Sequence, residues 1–230
     1  MQRLPIVFSV VLLALAPVSR AEIIDRILAV VEGQMITLSD VRAVTRLGLE
    51  SAPEGGDPVR ALLDRLIDRQ LMLVEVERYA PPEPSPEAID AGLAAVRARF
   101  PDALAFETTL HQVGMTAEHL RRYVRDAYRI EAYLQQRFTA TIQPSEDEIA
   151  AYYRLHADEF TRGGTLAPFD AVRQDVRARL IDDRRRALIE EWLAGLRRRA
   201  DIVDLYLAKP AAAEVGASAV RYRSGTATRT

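Results

Sequence analysis

The chain has 230 residues, 49% of them hydrophobic and 28% charged, with a formal net charge of −2. That is enough apolar material for one or two domains, and the charge balance gives no global signal for nucleic acid. There is no cysteine, which excludes disulfides, thiol nucleophiles and lipid attachment through an N-terminal cysteine.

Met1 to Ala21 reads as a secretory signal peptide. Arg3 supplies the basic start, Leu4 to Ala16 the apolar run, and Pro17-Val18-Ser19-Arg20-Ala21 a small-residue exit. The run is about 13 residues, short of the ~20 that a membrane-spanning helix needs. No second run of spanning length follows. The expectation is a mature protein that is soluble and lies outside the cytoplasm.

The next stretch changes period twice. Apolar residues alternate up to Val31, Glu32-Gly33 offers a tight turn, and Met35-Ile36 resumes an extended run, so a hairpin is expected over 23–37. Thr37 and Ser39 can each offer a side-chain oxygen to free helix N–H groups, and Asp40 suits the positive end of the dipole. Val41, Val44 and Leu47 then begin a helical stripe. A hairpin cannot be stable alone, and Asp201 to Leu207 is the only later strand-like segment, so the two are expected to pair.

Between them the pattern is helical. Ser51 to Pro58 is a loop by composition, and Val59 to Tyr79 an amphipathic helix with Leu62, Leu63, Leu66 and Ile67 on its stripe. From Leu71 to Val76 that helix is apolar nearly all round, which fits either a span enclosed by neighbours or a wall that receives apolar ligands. Met72 and Val76 lie off the main stripe of Leu63, Leu66, Ile67 and Val74, so they are the candidate ligand-contacting residues, methionine being easy to repack. Pro81, Pro82 and Pro84 end the helix, and Ser85 caps another carrying Ile89, Leu93 and Val96. A short helix runs from about Asp102 to Gly114, and Thr116 caps a long one reaching Phe138. Ser145 and Glu148 form a capping-box signature ahead of Ile149, Tyr152 and Tyr153. The longest helix, about Pro168 to Ala200, carries Phe169, Val172, Val176, Leu180, Leu188, Trp192 and Leu196. From Ala208 the composition loses periodicity, and 208–230 reads as a disordered tail.

Val30-Val31, Ile36-Thr37-Leu38-Ser39-Asp40-Val41, Leu62 to Leu71, Pro144 to Ile149 with Tyr152-Tyr153 and Asp158-Glu159-Phe160, and Phe169 to Leu207 occur in an order that resembles the SurA family of periplasmic chaperones. The resemblance covers about Glu22 to Leu207. It implies a mainly α fold: a helical chaperone core, 22–160 and 168–207, with a small antiparallel sheet made by the N-terminal hairpin and the C-terminal strand. The family usually inserts one or two parvulin-type prolyl isomerase domains between the positions of Phe160 and Phe169. Here eight residues separate them, far fewer than the roughly ninety of a compact catalytic domain.

The resemblance therefore implies an ATP-independent holdase in the periplasm. Its partners are unfolded or nascent outer-membrane proteins and, by family, the outer-membrane assembly machinery, and no isomerase activity is expected. The competing reading is an adaptor dedicated to one partner in envelope biogenesis or export. No cofactor and no metal are expected. His111, His119 and His156 fall on separate predicted helices without metal-ligand spacing, and there is no Gly-rich phosphate loop or nucleophile motif. Arg184-Arg185-Arg186 and Arg197-Arg198-Arg199 are flanked by acids, as on a solvated helix face rather than a nucleic-acid surface.

Overall fold

The computed structural model describes residues 25–138 and 143–207; the expected signal peptide and tail lie outside the described residues. Glu32 and Gly33 both have positive φ, 49° and 78°, as a type I′ turn requires. They join β1 (Ile27–Val31) to β2 (Gln34–Thr37) in register Val31↔Gln34, Val30↔Met35 and Ala29↔Ile36. A bulge between Ile27 and Ala29 turns Leu28 and Ala29 to the same side, which is why both are buried while Ile27 and Val30 face outward. The C-terminal strand β5 (Ile202–Asp204) pairs antiparallel on the other side of β1, giving the order β2-β1-β5. The expected closure of the described ends is present, with Val203 opposite Val30 and the Leu205 N–H donating to the Leu28 carbonyl at 2.9 Å.

The seven helices among the described residues follow the sequence reading closely. Helix α1 (Leu38–Arg46) has a capping box between Thr37 and Asp40. Ser39 does not cap; its side chain is drawn instead to the Asp25 carboxylate. Helix α2 (Pro58–Tyr79) starts on Asp57, whose carboxylate accepts from the Val59 and Arg60 N–H groups. Helices α3 (Pro86–Arg97), α4 (Ala103–Gln112) and α5 (Ala117–Phe138) begin at Ser85, Asp102 and Thr116. Helix α6 (Glu146–Leu155) has the anticipated Ser145–Glu148 box, and α7 (Phe169–Arg199) is the longest at 31 residues.

Helix α2 lies at the centre, touching the sheet, α1, α5 and α7. Its stripe of Leu62, Leu63, Leu66 and Ile67 meets Leu28, Val31 and Ile36 of the sheet and Val41 and Val44 of α1. A second cluster joins α3, α4 and α5, and a third sets Val76 against Ile130, Tyr133, Leu134 and Phe138 of α5. The fourth joins Ile149, Tyr152 and Phe160 to Val172, Val176 and Leu180. The apolar line of α7 therefore serves three clusters in turn: its first half packs on α6, Leu188 and Trp192 on the third cluster, and Leu196 on the sheet core.

Polar ties fix the last strand, the residues after it and the end of α7 to α2 and its N-cap. The Arg60 guanidinium bridges Asp64 and Asp204, the Tyr206 hydroxyl donates to Asp57 at 2.6 Å, and Arg197 pairs with Asp68 at 2.6 Å. Two features differ from the sequence reading. The link after Phe160 is not a plain loop: Thr161–Arg162 and Thr165–Leu166 form a miniature hairpin, β3 and β4, over Gly163-Gly164. Val76 does not face outward. It is fully buried, because α5 covers the flank of α2 that a stripe drawn toward the sheet leaves open.

Candidate functional site

The described part of the chain contains three methionines, Met35, Met72 and Met115, and all three line surface clefts. The first cleft, about 210 Å³, lies between β2, α1, α2 and the turn into α5. Val44, Leu66 and Leu73 form its apolar interior, and Met35 and Met115 stand at its mouth. Met35 is there because the tight turn sends it to the outer face of β2, where it is 63% exposed. Met115 is there because Gly114 takes a left-handed φ of 68°, and the Met115 N–H closes on the Leu110 carbonyl at 3.0 Å as α4 ends.

Arg69 and Tyr123 form one wall. The guanidinium lies 3.8 Å from the ring centroid and donates to the Tyr123 carbonyl at 2.8 Å. Burial pushes the Tyr123 hydroxyl up to about 12, against the pull of Arg69, so at neutral pH it remains a donor, with Glu50 Oε1 at 3.4 Å. Beyond Arg69 a second cleft of about 340 Å³ has Met72, Ala127, Ile130 and Leu193 on its apolar side and Glu50, Arg65 and Asp68 on its charged side. Arg69 borders both clefts, so they adjoin across it.

Of the two candidates read from the sequence, Met72 is half-buried and lines the second cleft, whereas Val76 belongs to the core beneath it. Reading the sequence did not single out Met35, Met115 and Arg69, which line the clefts. The signal available for the methionines was their scarcity; Arg69 had none. The histidines stay apart: His111 is on α4, His119 on α5, and His156 ends α6, its Nδ1 3.0 Å from the Tyr152 carbonyl. Among the described residues no group of three or more histidines and carboxylates is placed to hold a metal, and no helix is long and apolar enough to cross a membrane.

No protein-family model matches the chain, and no curated protein matches it. In three dimensions its fold is that of SurA-like chaperones. It is similar to a solved chain from a study of the virulence factor PEB4 and the periplasmic protein Cj1289, two structurally related SurA-like chaperones of Campylobacter jejuni. The superposition has a TM-score of 0.50 at 12% identity, covering 79% of this chain and 100% of that one.

Proposed function

We propose that this protein is an ATP-independent periplasmic holding chaperone that shelters unfolded proteins, outer-membrane proteins among them, without prolyl isomerase activity. The observation that carries the reading is the pair of adjoining clefts, each joining an apolar surface with Met35, Met115 or Met72 to a charged border, on a SurA-like fold. Thioethers repack around side chains of different shape, which suits clients that share apolarity but not sequence. Burying one client side chain in such a cleft gains about 1.5–3 kcal/mol. Association itself costs an estimated 4–15 kcal/mol, so holding depends on several weak contacts and stays reversible. The reading without isomerase activity is supported by the link after Phe160, where eight residues form two two-residue strands around a glycine pair. A compact catalytic domain needs many times that length.

The test is client breadth. The purified protein is expected to suppress aggregation of several unrelated unfolded proteins, a β-barrel precursor and a water-soluble one included. Protection of a single client, with the others aggregating as in buffer, would instead identify a dedicated adaptor.

A further inference from the structure

The first cleft is lined by Met35 and by Ile36. Neighbouring residues of a strand point to opposite faces, and here Met35 is 63% exposed and Ile36 7% exposed. A cleft touching both therefore lies against the edge of β2, not over one face of the sheet. Among the described residues that edge is open in its backbone. The two-residue turn closes Val31↔Gln34 as a hydrogen-bonded pair, and such pairs alternate along an antiparallel ladder. Gln34 and Ile36 thus direct their N–H and C=O groups to β1, and Met35 directs its own outward. The Thr37 N–H is already taken by Asp40 Oδ2 at 2.8 Å.

The two edges of the sheet are not alike. At β5, Asp204 is held by Arg60 and accepts from the Tyr206 N–H at 2.9 Å, a charged side chain of the kind that blunts an edge. At β2, Gln-Met-Ile-Thr has no charge and no proline. Beside it Gln70 lines the cleft, half-buried, and its carboxamide makes no hydrogen bond among the described residues. The geometry points to strand addition: an extended, uncharged segment of a client pairs with the backbone of Met35, and its alternate apolar side chains enter the cleft. A four-residue edge is about 13 Å long. The area it covers is far below the ~1,200 Å² of a stable protein–protein interface, which argues for a short client segment and against a second copy of the chain. Hydrogen bonds to the main chain ask nothing of the client's sequence, so this contact complements the adaptable methionines.

This inference rests on the holdase reading, and its test separates the two. The probe is a fluorescent octapeptide of alternating valine and serine, followed by anisotropy. With valines in the cleft, the serine amides face Met35 and the valine amides face away. N-methylation of the serine amides is expected to weaken binding at least tenfold, and N-methylation of the valine amides to leave it within about threefold. On the protein side, Met35→Pro removes the outward donor while the β1–β2 bonds stay at Gln34 and Ile36. It is expected to weaken the parent peptide about tenfold, and clearly further than Met35→Ala, which gives up the thioether at the cleft mouth but keeps the N–H. If Met35→Pro fails to fold, the methylated peptides decide alone. Equal binding of the two methylated peptides, with aggregation of unfolded proteins still suppressed, overturns strand addition and leaves the holdase reading standing. Absence of both peptide binding and suppression overturns both.

Discussion

Met72 and Val76 lie one turn apart on α2 and meet different surroundings. Val76 is fully buried in the cluster that α5 and α7 close over α2, whereas Met72 is half-buried at the second cleft. Truncation of Val76 to alanine leaves a cavity worth about 2 kcal/mol, so Val76→Ala is expected to lower Tm by several degrees with little direct effect on client holding. Met72→Ala is expected to destabilise by no more than about 1 kcal/mol, as at a partly solvated position, and to weaken suppression of aggregation. Thermal melts and light scattering on both variants check this; a loss of stability from Met72→Ala as large as that from Val76→Ala would make Met72 core. Gly92 is the other informative residue. A Cβ there would sit 2.6 Å from Val124 Cγ1 and 3.0 Å from the Tyr128 hydroxyl, so α3 approaches α5 only because this side chain is absent. Alanine is the better helix former by ~1 kcal/mol, but overpacking costs about 1–3 kcal/mol. Gly92→Ala is expected to lower Tm, and an unchanged or raised Tm would mean that the two helices separate freely.

The α6–α7 pair shows how an element is held by its ends. Its cluster of Ile149, Tyr152, Val172, Val176 and Leu180 is flanked by ion pairs from α7 to the first turn of α6. Arg173 and Arg177 reach Glu146, and Arg184 reaches Glu148. The Arg184 hydrogen bond, then the backbone and hydroxyl of Ser145, hold the Glu148 carboxyl at about 2, against an ordinary 4.5. Because the folded value is the lower one, its stabilising effect is complete above about pH 4.5 and drains away as the pH falls toward 2. Melts across that window are expected to show Tm falling with acid, and Glu148→Gln to flatten part of the fall. An equally steep acid limb in the variant would show that Glu148 plays no part in it. The hairpin between α6 and α7 is of the opposite kind. Both its strands are exposed, so a folded domain inserted between Gly163 and Gly164 is expected to leave the melting of the body within a few degrees.

At the scale of the whole molecule, β5 and the end of α7 hold the N-terminal hairpin against α2. Sheet, first cleft and termini of the described chain are thus one structural unit. Strand β5 shields one flank of β1 and leaves β2 as the second edge, where the cleft opens. The molecule is expected not to accelerate cis–trans exchange in a proline-containing peptide. A saturable rate that persisted through stringent purification would overturn that expectation and require a catalytic group outside the clefts described.

Local physics was legible in the chain alone. Ser85, Thr116 and Ser145 all begin helices, because a short oxygen-bearing side chain satisfies free N–H groups whatever packs above it. The hairpin and the long closing helix were legible for the same reason: turn chemistry and periodicity are properties of neighbouring residues. The pairing of the two ends followed by elimination, since the hairpin needs a partner and only one later segment reads as a strand. The shortness of the link after Phe160 was a matter of counting. What only the tertiary structure decided is which side of an apolar helix meets solvent. Val76 and Met72 are both apolar residues off the same stripe, and nothing local to α2 separates them. The difference comes from α5, a helix more than forty residues later in the chain, whose packing covers one and leaves the other at the rim of a cleft. The edge at Met35 is of the same kind: the strand was readable, but that no described strand pairs with its far side depends on where the other elements lie.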